Sequence, residues 1–127
     1  MSKTRMTSEE FKKLKQKKRG KWNAVRVNKF GYKFRSKLEA AIAEKLEELK
    51  RTGVLVNYAY ETSFLLPGNI RHMIDFTCFW SNGYITFVEA KGKDLAPGKM
   101  KRHLFEDLYQ TEVEVVTKIT EFKGEPK

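Results

Sequence analysis

Asp75, Glu89 and Lys91 stand in a stretch most of whose residues favour burial. Ile70 to Gly92 reads IRHMIDFTCFWSNGYITFVEAKG, with Asp75, thirteen residues, then Glu89, Ala90 and Lys91. Ser81-Asn82-Gly83 is turn chemistry, because Asn and Gly accept the positive φ of a tight hairpin. The flanks are β-branched, aromatic or apolar, so two antiparallel strands are expected, roughly 71–80 and 84–91. Side chains alternate along a strand. Ile85, Phe87, Glu89 and Lys91 therefore share one face, and Met73, Asp75 and Thr77 share one on the neighbouring strand. Charges on such strands are costly unless paired or bound to a metal. One outcome is a structural ion pair at a strand end. The other is a site for a divalent cation, since carboxylate oxygens suit Mg²⁺ or Mn²⁺. Such an ion polarises a phosphoryl group and activates water. An ammonium beside it orients that water or stabilises developing negative charge.

The elements around this hairpin supply two more acids. Ser36-Lys37-Leu38-Glu39 opens a run in which Leu38, Ile42, Leu46 and Leu49 recur at helical spacing. A helix over 36–52 is expected, with Gly53 after its end. Glu39 is either the acid of a capping box or, one turn before Ile42 and Ala43, a side chain aimed over the sheet. Val54 to Leu66 reads as a strand closed by Pro67-Gly68. On it, Glu61 is either an exposed residue paired with a lysine or a further acid of the site. Downstream, Gly92 to Gly98 reads as a loop, Lys99 to Tyr109 as a helix and Val113 to Thr117 as a strand. Strand–helix–strand order favours a parallel crossover beside the Glu89 strand. The class is α/β: a mixed central sheet flanked by helices, in the order αβββαβ, with a basic N-terminal arm.

Asp75 followed by Glu89-Ala90-Lys91 on the next strand resembles the PD-(D/E)xK nuclease signature, with Ile74 where that family usually has proline. Phe34-Arg35-Ser36-Lys37-Leu38-Glu39 and Tyr58-Ala59-Tyr60-Glu61 are similar to phage endonuclease I-type Holliday junction resolvases within that superfamily. The likeness covers roughly 30–117 and implies a restriction-endonuclease-like core. It implies a Mg²⁺- or Mn²⁺-dependent DNA endonuclease leaving 5′-phosphate and 3′-hydroxyl ends. Catalytic residues would be Glu39, Asp75, Glu89 and Lys91. The metal would be held by Asp75, Glu89 and the Ala90 carbonyl, with Glu39 and Glu61 assisting. Branched DNA is the implied substrate, and cutting both strands of a junction implies a homodimer. Nuclease action on linear duplex of the restriction or transposase type remains open, as does a nucleic-acid-binding protein that keeps the fold without cleaving. The setting implied is cytoplasmic, inside a bacterial cell or a phage-infected host.

Composition agrees with a polyanionic partner. The 127 residues carry 26 Lys and Arg against 16 Asp and Glu, a formal net charge of +10. Nucleic acid fits better than a membrane surface, because no amphipathic helix with a strong apolar face adjoins the basic run. Lys12, Lys13, Lys15, Lys17, Lys18, Arg19 and Lys21 crowd an arm, 1–29, suited to salt-sensitive phosphate contact. Arg35, Lys93, Lys99, Lys101 and Arg102 are further candidates for DNA contact. One nuclease domain, 30–120, and a flexible tail, 121–127, complete the division. Nine Phe, five Tyr and two Trp argue against disorder. No signal peptide or membrane span is expected. The lone Cys78 reads as a small buried hydrophobe in a reducing compartment. His72 and His103 receive no role.

Overall fold

The computed structural model describes residues 26–126. The arm's expected phosphate contacts, Lys12, Lys13, Lys15, Lys17, Lys18, Arg19 and Lys21, lie outside the described residues. A small hairpin comes first, β1 (Val27–Lys29) and β2 (Tyr32–Phe34), followed by α1 (Lys37–Arg51). Then come β3 (Leu55–Leu66), β4 (Ile70–Trp80), β5 (Ile85–Ala90), α2 (Ala96–Tyr109) and β6 (Val113–Val116). Among the described residues the main sheet is mixed and four-stranded, in the order β3-β4-β5-β6. β3, β4 and β5 run antiparallel in sequence, and β6 lies parallel to β5, pairing Phe87 with Val113 and Ala90 with Val116. The expected α/β class, strand order and parallel crossover are all present.

Alternation on β5 and β6 separates two cores. Val88 and Val116 face α1, where Ile42, Ala43 and Leu46 pack with Phe34, Phe76, Cys78 and Trp80. Phe87 and Val113 face α2, where Phe105 packs with Phe64, Leu66 and Ile74. Each helix thus covers one face of the sheet. Burying one of the larger side chains contributes roughly 1.5–3 kcal/mol, so the fully covered Ile42, Leu46, Phe76 and Phe105 anchor the elements around them. The Cys78 thiol is buried, and burial pushes its pKa up to about 12. No helix among the described residues is long and apolar enough to cross a membrane.

Several boundaries differ from expectation. The hairpin of β1 and β2 stands where an arm and a helix approach were expected. Its turn is Phe30-Gly31, both at positive φ, 53° and 81°. Two such residues suit a tight hairpin whose twist matches its strands. Helix α2 begins at Ala96 rather than Lys99, with Pro97 in its first turn. Proline is tolerated there because the first N–H groups of a helix lack intrahelical partners. The expected tail also starts too early. Phe122 is buried in the α1 core, and Lys45 Nζ donates to its carbonyl at 3.0 Å. Packed chain therefore reaches at least Phe122.

Candidate functional site

The site is built where the β3–β4 ribbon changes face. Tyr58, Tyr60, Phe76 and Cys78 pack on the α1 side, whereas Phe64, Leu66, Ile70 and Ile74 pack on the α2 side. Between these sets the ladder passes from Tyr60–Phe76 to Thr62–Ile74 and skips Glu61 and Asp75. Glu61 holds left-handed backbone, φ 58°. That conformation is uncommon for a residue with a Cβ and concentrates at functional positions. Pairing of β4 with β5 also stops at Phe76–Val88. Beyond it the Asp75 carboxylate reaches the β5 backbone directly, its Oδ2 accepting from the Ala90 N–H at 2.8 Å.

Asp75 turns its other oxygen toward the start of α1. Arg35 Nη2 donates to Asp75 Oδ1 at 3.1 Å. The same guanidinium lies 3.7 Å from Glu39 Oε2 and 3.4 Å, through Nε, from Glu61 Oε2. Three acids from α1, β3 and β4 thus share one arginine. Both readings of Glu39 are partly realised. Its N–H donates to Ser36 Oγ at 3.1 Å, as a helix cap should. Its carboxylate, however, accepts from the Arg35 N–H at 2.9 Å and from the Tyr60 hydroxyl at 2.5 Å. The side chain is buried over the sheet instead of closing back onto Ser36. Burial is the largest influence on Asp75, opposed by the Ala90 N–H and reinforced by Glu39. Although Arg35 and Lys91 also favour the ionised form, the carboxyl is pushed up to about 6.

Glu89 faces the α2 side and is wholly buried. His72 Nε2 stands 2.6 Å from Glu89 Oε1, a close approach that lacks hydrogen-bond geometry. Arg102 Nη1 and Lys91 Nζ each lie 3.9 Å from Glu89 Oε2. Neither Glu89 oxygen accepts a hydrogen bond. Unpartnered buried oxygens of this kind point to a water or an ion. Lys91 is partly exposed and joins the two halves, lying against Glu89 and close enough to Asp75 to favour its ionised form.

The donor chemistry fits a hard cation. Among the described residues no three Asp, Glu, His or Cys side chains are close enough to enclose a metal by themselves. Mg²⁺ does not require such a cage. It commonly takes one or two carboxylates and completes its shell with water and substrate phosphate. Asp75 and Glu89 meet that need, with the unpartnered Glu89 oxygens as the observation that favours it.

Of the residues expected from the sequence, Glu39, Glu61 and Asp75 gather around Arg35, and Glu89 and Lys91 adjoin each other. Lys93, Lys99 and Lys101 are exposed. Arg102 is different from the expected phosphate contact. It is buried, and its fork donates to both Asp94 oxygens at 3.0 and 2.8 Å. That pair holds the Asp94 carboxyl below its usual range and ties the loop after Lys91 to α2. Arg35, His72 and Tyr60 were not expected beside the acids. The spacing of His72 from Asp75, an odd number of residues, places them on opposite faces of a regular strand. His72 accordingly stands beside Glu89 on the α2 side, while Asp75 turns to Arg35.

Neither the curated proteins nor the solved structures provide a match to this chain. A family model does match, over residues 19–124, which takes in the whole sheet, both helices and every acid of the site. The chain belongs to the family described as Protein of unknown function (DUF1064).

Proposed function

We propose that this protein is a metal-dependent endonuclease with a PD-(D/E)xK-type core, hydrolysing phosphodiester bonds in branched DNA such as four-way junctions, and working as a homodimer. The observation that carries the reading is Lys91. Its ammonium sits 3.9 Å from a buried Glu89 whose oxygens accept no hydrogen bond, and it also acts on Asp75. Lys91 and Arg102 each stand 3.9 Å from Glu89 without hydrogen-bonding it, which leaves its oxygens open to a further partner.

Asp75 and Glu89 would hold Mg²⁺ or Mn²⁺, with the Ala90 carbonyl as a further oxygen donor. Bound there, the ion would polarise the phosphoryl group and lower the pKa of a water. Lys91 orients the water that attacks phosphorus and offsets charge developing on the phosphoryl oxygens. The Ala90 N–H fixes the Asp75 carboxylate. Exposed Lys93, Lys99 and Lys101 supply phosphate contact that carries no sequence information. The branched substrate and the dimer rest on the resemblance of 34–39 and 58–61 to junction resolvases.

A second reading draws on Arg35. With Arg35 occupying the acids in place of a metal, the exposed Lys93, Lys99 and Lys101 would bind nucleic acid without hydrolysis. One assay separates the two: linear, flap and four-way DNA, with and without Mg²⁺, wild type against Asp75→Ala. The nuclease reading expects Mg²⁺-dependent cleavage of the four-way substrate, lost in the variant with binding largely kept. Cleavage by Asp75→Ala at the wild-type rate rejects the assignment. Binding by the wild type without any Mg²⁺-dependent product favours the second reading.

A further inference from the structure

We propose that Arg35 is a built-in counter-cation whose hold on Glu39, Glu61 and Asp75 a divalent metal must displace, so that Arg35 sets the metal affinity of the site. The inference rests on the reading that a divalent ion is held at Asp75.

Geometry separates Arg35 from an ordinary surface arginine. Its guanidinium reaches Asp75 at 3.1 Å, Glu61 at 3.4 Å and Glu39 at 3.7 Å, three acids on three different elements. Such acids repel one another unless a cation stands among them. One guanidinium balances one of the three acids, whereas a dication in its place balances two. Arg35 also has freedom to leave. Its side chain is 48% exposed, whereas those of Glu39 and Asp75 are 6% and 7% exposed. Two of the acids are fixed by the fold: Glu39 by Tyr60 and the Arg35 N–H, and Asp75 by Ala90. Movement therefore falls to the arginine. Oxygens bonded to Arg35 are the ones a metal at Asp75 would take, so the two cations compete.

Removing the competitor should tighten metal binding. Mn²⁺ titrations by calorimetry, paired with thermal unfolding in EDTA and in Mn²⁺, read this without any DNA or turnover. Arg35→Gln should bind Mn²⁺ about five- to tenfold more tightly than wild type, since partly exposed ion pairs are each worth up to about a factor of five. It should unfold at a lower temperature in EDTA and gain more from Mn²⁺ than wild type does. Arg35→Lys keeps the charge without the fork and should fall between them. It also serves if Arg35→Gln proves too unstable to purify. Equal or weaker Mn²⁺ binding by both variants overturns the competition while leaving the nuclease reading intact. Absence of Mn²⁺ binding in wild type and both variants overturns the metal site and this inference together.

Discussion

Arg35 Nη2 donates to Asp75 Oδ1 at 3.1 Å, yet the pairing does not offset the burial of Asp75, whose carboxyl is pushed up to about 6. Burial thus disfavours the ionised form of Asp75 despite its arginine partner. Removing that charge should stabilise the fold. The folded state keeps its proton up to about pH 6, whereas the ordinary carboxyl value is 3.8. Between those values the folded state binds more protons than the unfolded one, so this group's contribution to stability falls as pH rises. At pH 7.5 Asp75→Asn should exceed wild type by on the order of 1–3 kcal/mol in urea unfolding, with the gap closing toward pH 4. A wild type as stable as the variant at pH 7.5 would contradict this.

Arg102 and Asp94 should behave in the opposite sense. The hydrogen bonds from Arg102 hold Asp94 below the ordinary carboxyl range. Its stabilisation is therefore complete above about pH 4 and is lost as pH falls through the lower folded value. Asp94→Asn should lower the urea midpoint at pH 7, with the loss shrinking in acid. Arg102→Ala should cost more, about 2–4 kcal/mol, because it takes from Asp94 both of its hydrogen bonds and from the buried Glu89 one of its neighbouring cations.

Tyr60 holds Glu39 through one short hydrogen bond of 2.5 Å. Burial, then Glu39, keeps its hydroxyl protonated well above the usual phenol range. Tyr60→Phe should lose about 0.5–1.5 kcal/mol, read in the same unfolding assay. No change in stability would show that the bond contributes nothing net.

Two phenylalanines on β4 provide an internal control on the packing. Phe76 is fully covered between α1 and the aromatic side chains of Phe34 and Tyr60, whereas Phe79 is 40% exposed. Phe76→Ala should cost about 3–5 kcal/mol and Phe79→Ala markedly less. Similar losses at both would mean that the sheet face carrying Phe79 is covered in solution.

Much of the architecture was legible in local pattern. Leu38, Ile42, Leu46 and Leu49 mark α1 by their period, and Ser81-Asn82-Gly83 marks the β4–β5 turn. The β1–β2 hairpin escaped because each strand is three residues long, too short for alternation to register. Phe30-Gly31 was the available signal, a glycine at the second position of a two-residue turn. The start of α2 was hidden by Pro97, which reads as a loop until its place in the first turn is known. In the site, residue types and spacing singled out Asp75, Glu89 and Lys91. Their partners were not legible, because strict alternation assigns Asp75 and Glu89 one shared set of neighbours. The face change at Glu61 and Asp75 instead gives Asp75 to Arg35 and leaves Glu89 to His72, Arg102 and Lys91. A left-handed glutamate in mid-strand has no sequence signature.

Lys91 is where the functional account is most exposed, since its ammonium lies against Glu89 and acts on Asp75. The decisive measurement is single-turnover cleavage of a labelled four-way junction in Mg²⁺, wild type against Lys91→Ala, with DNA binding measured in Ca²⁺. The account predicts comparable binding and at least about a hundredfold slower cleavage, the scale of losing one group that stabilises transition-state charge. Cleavage by Lys91→Ala at the wild-type rate, or a wild type that binds the junction and never cuts it, would contradict the account.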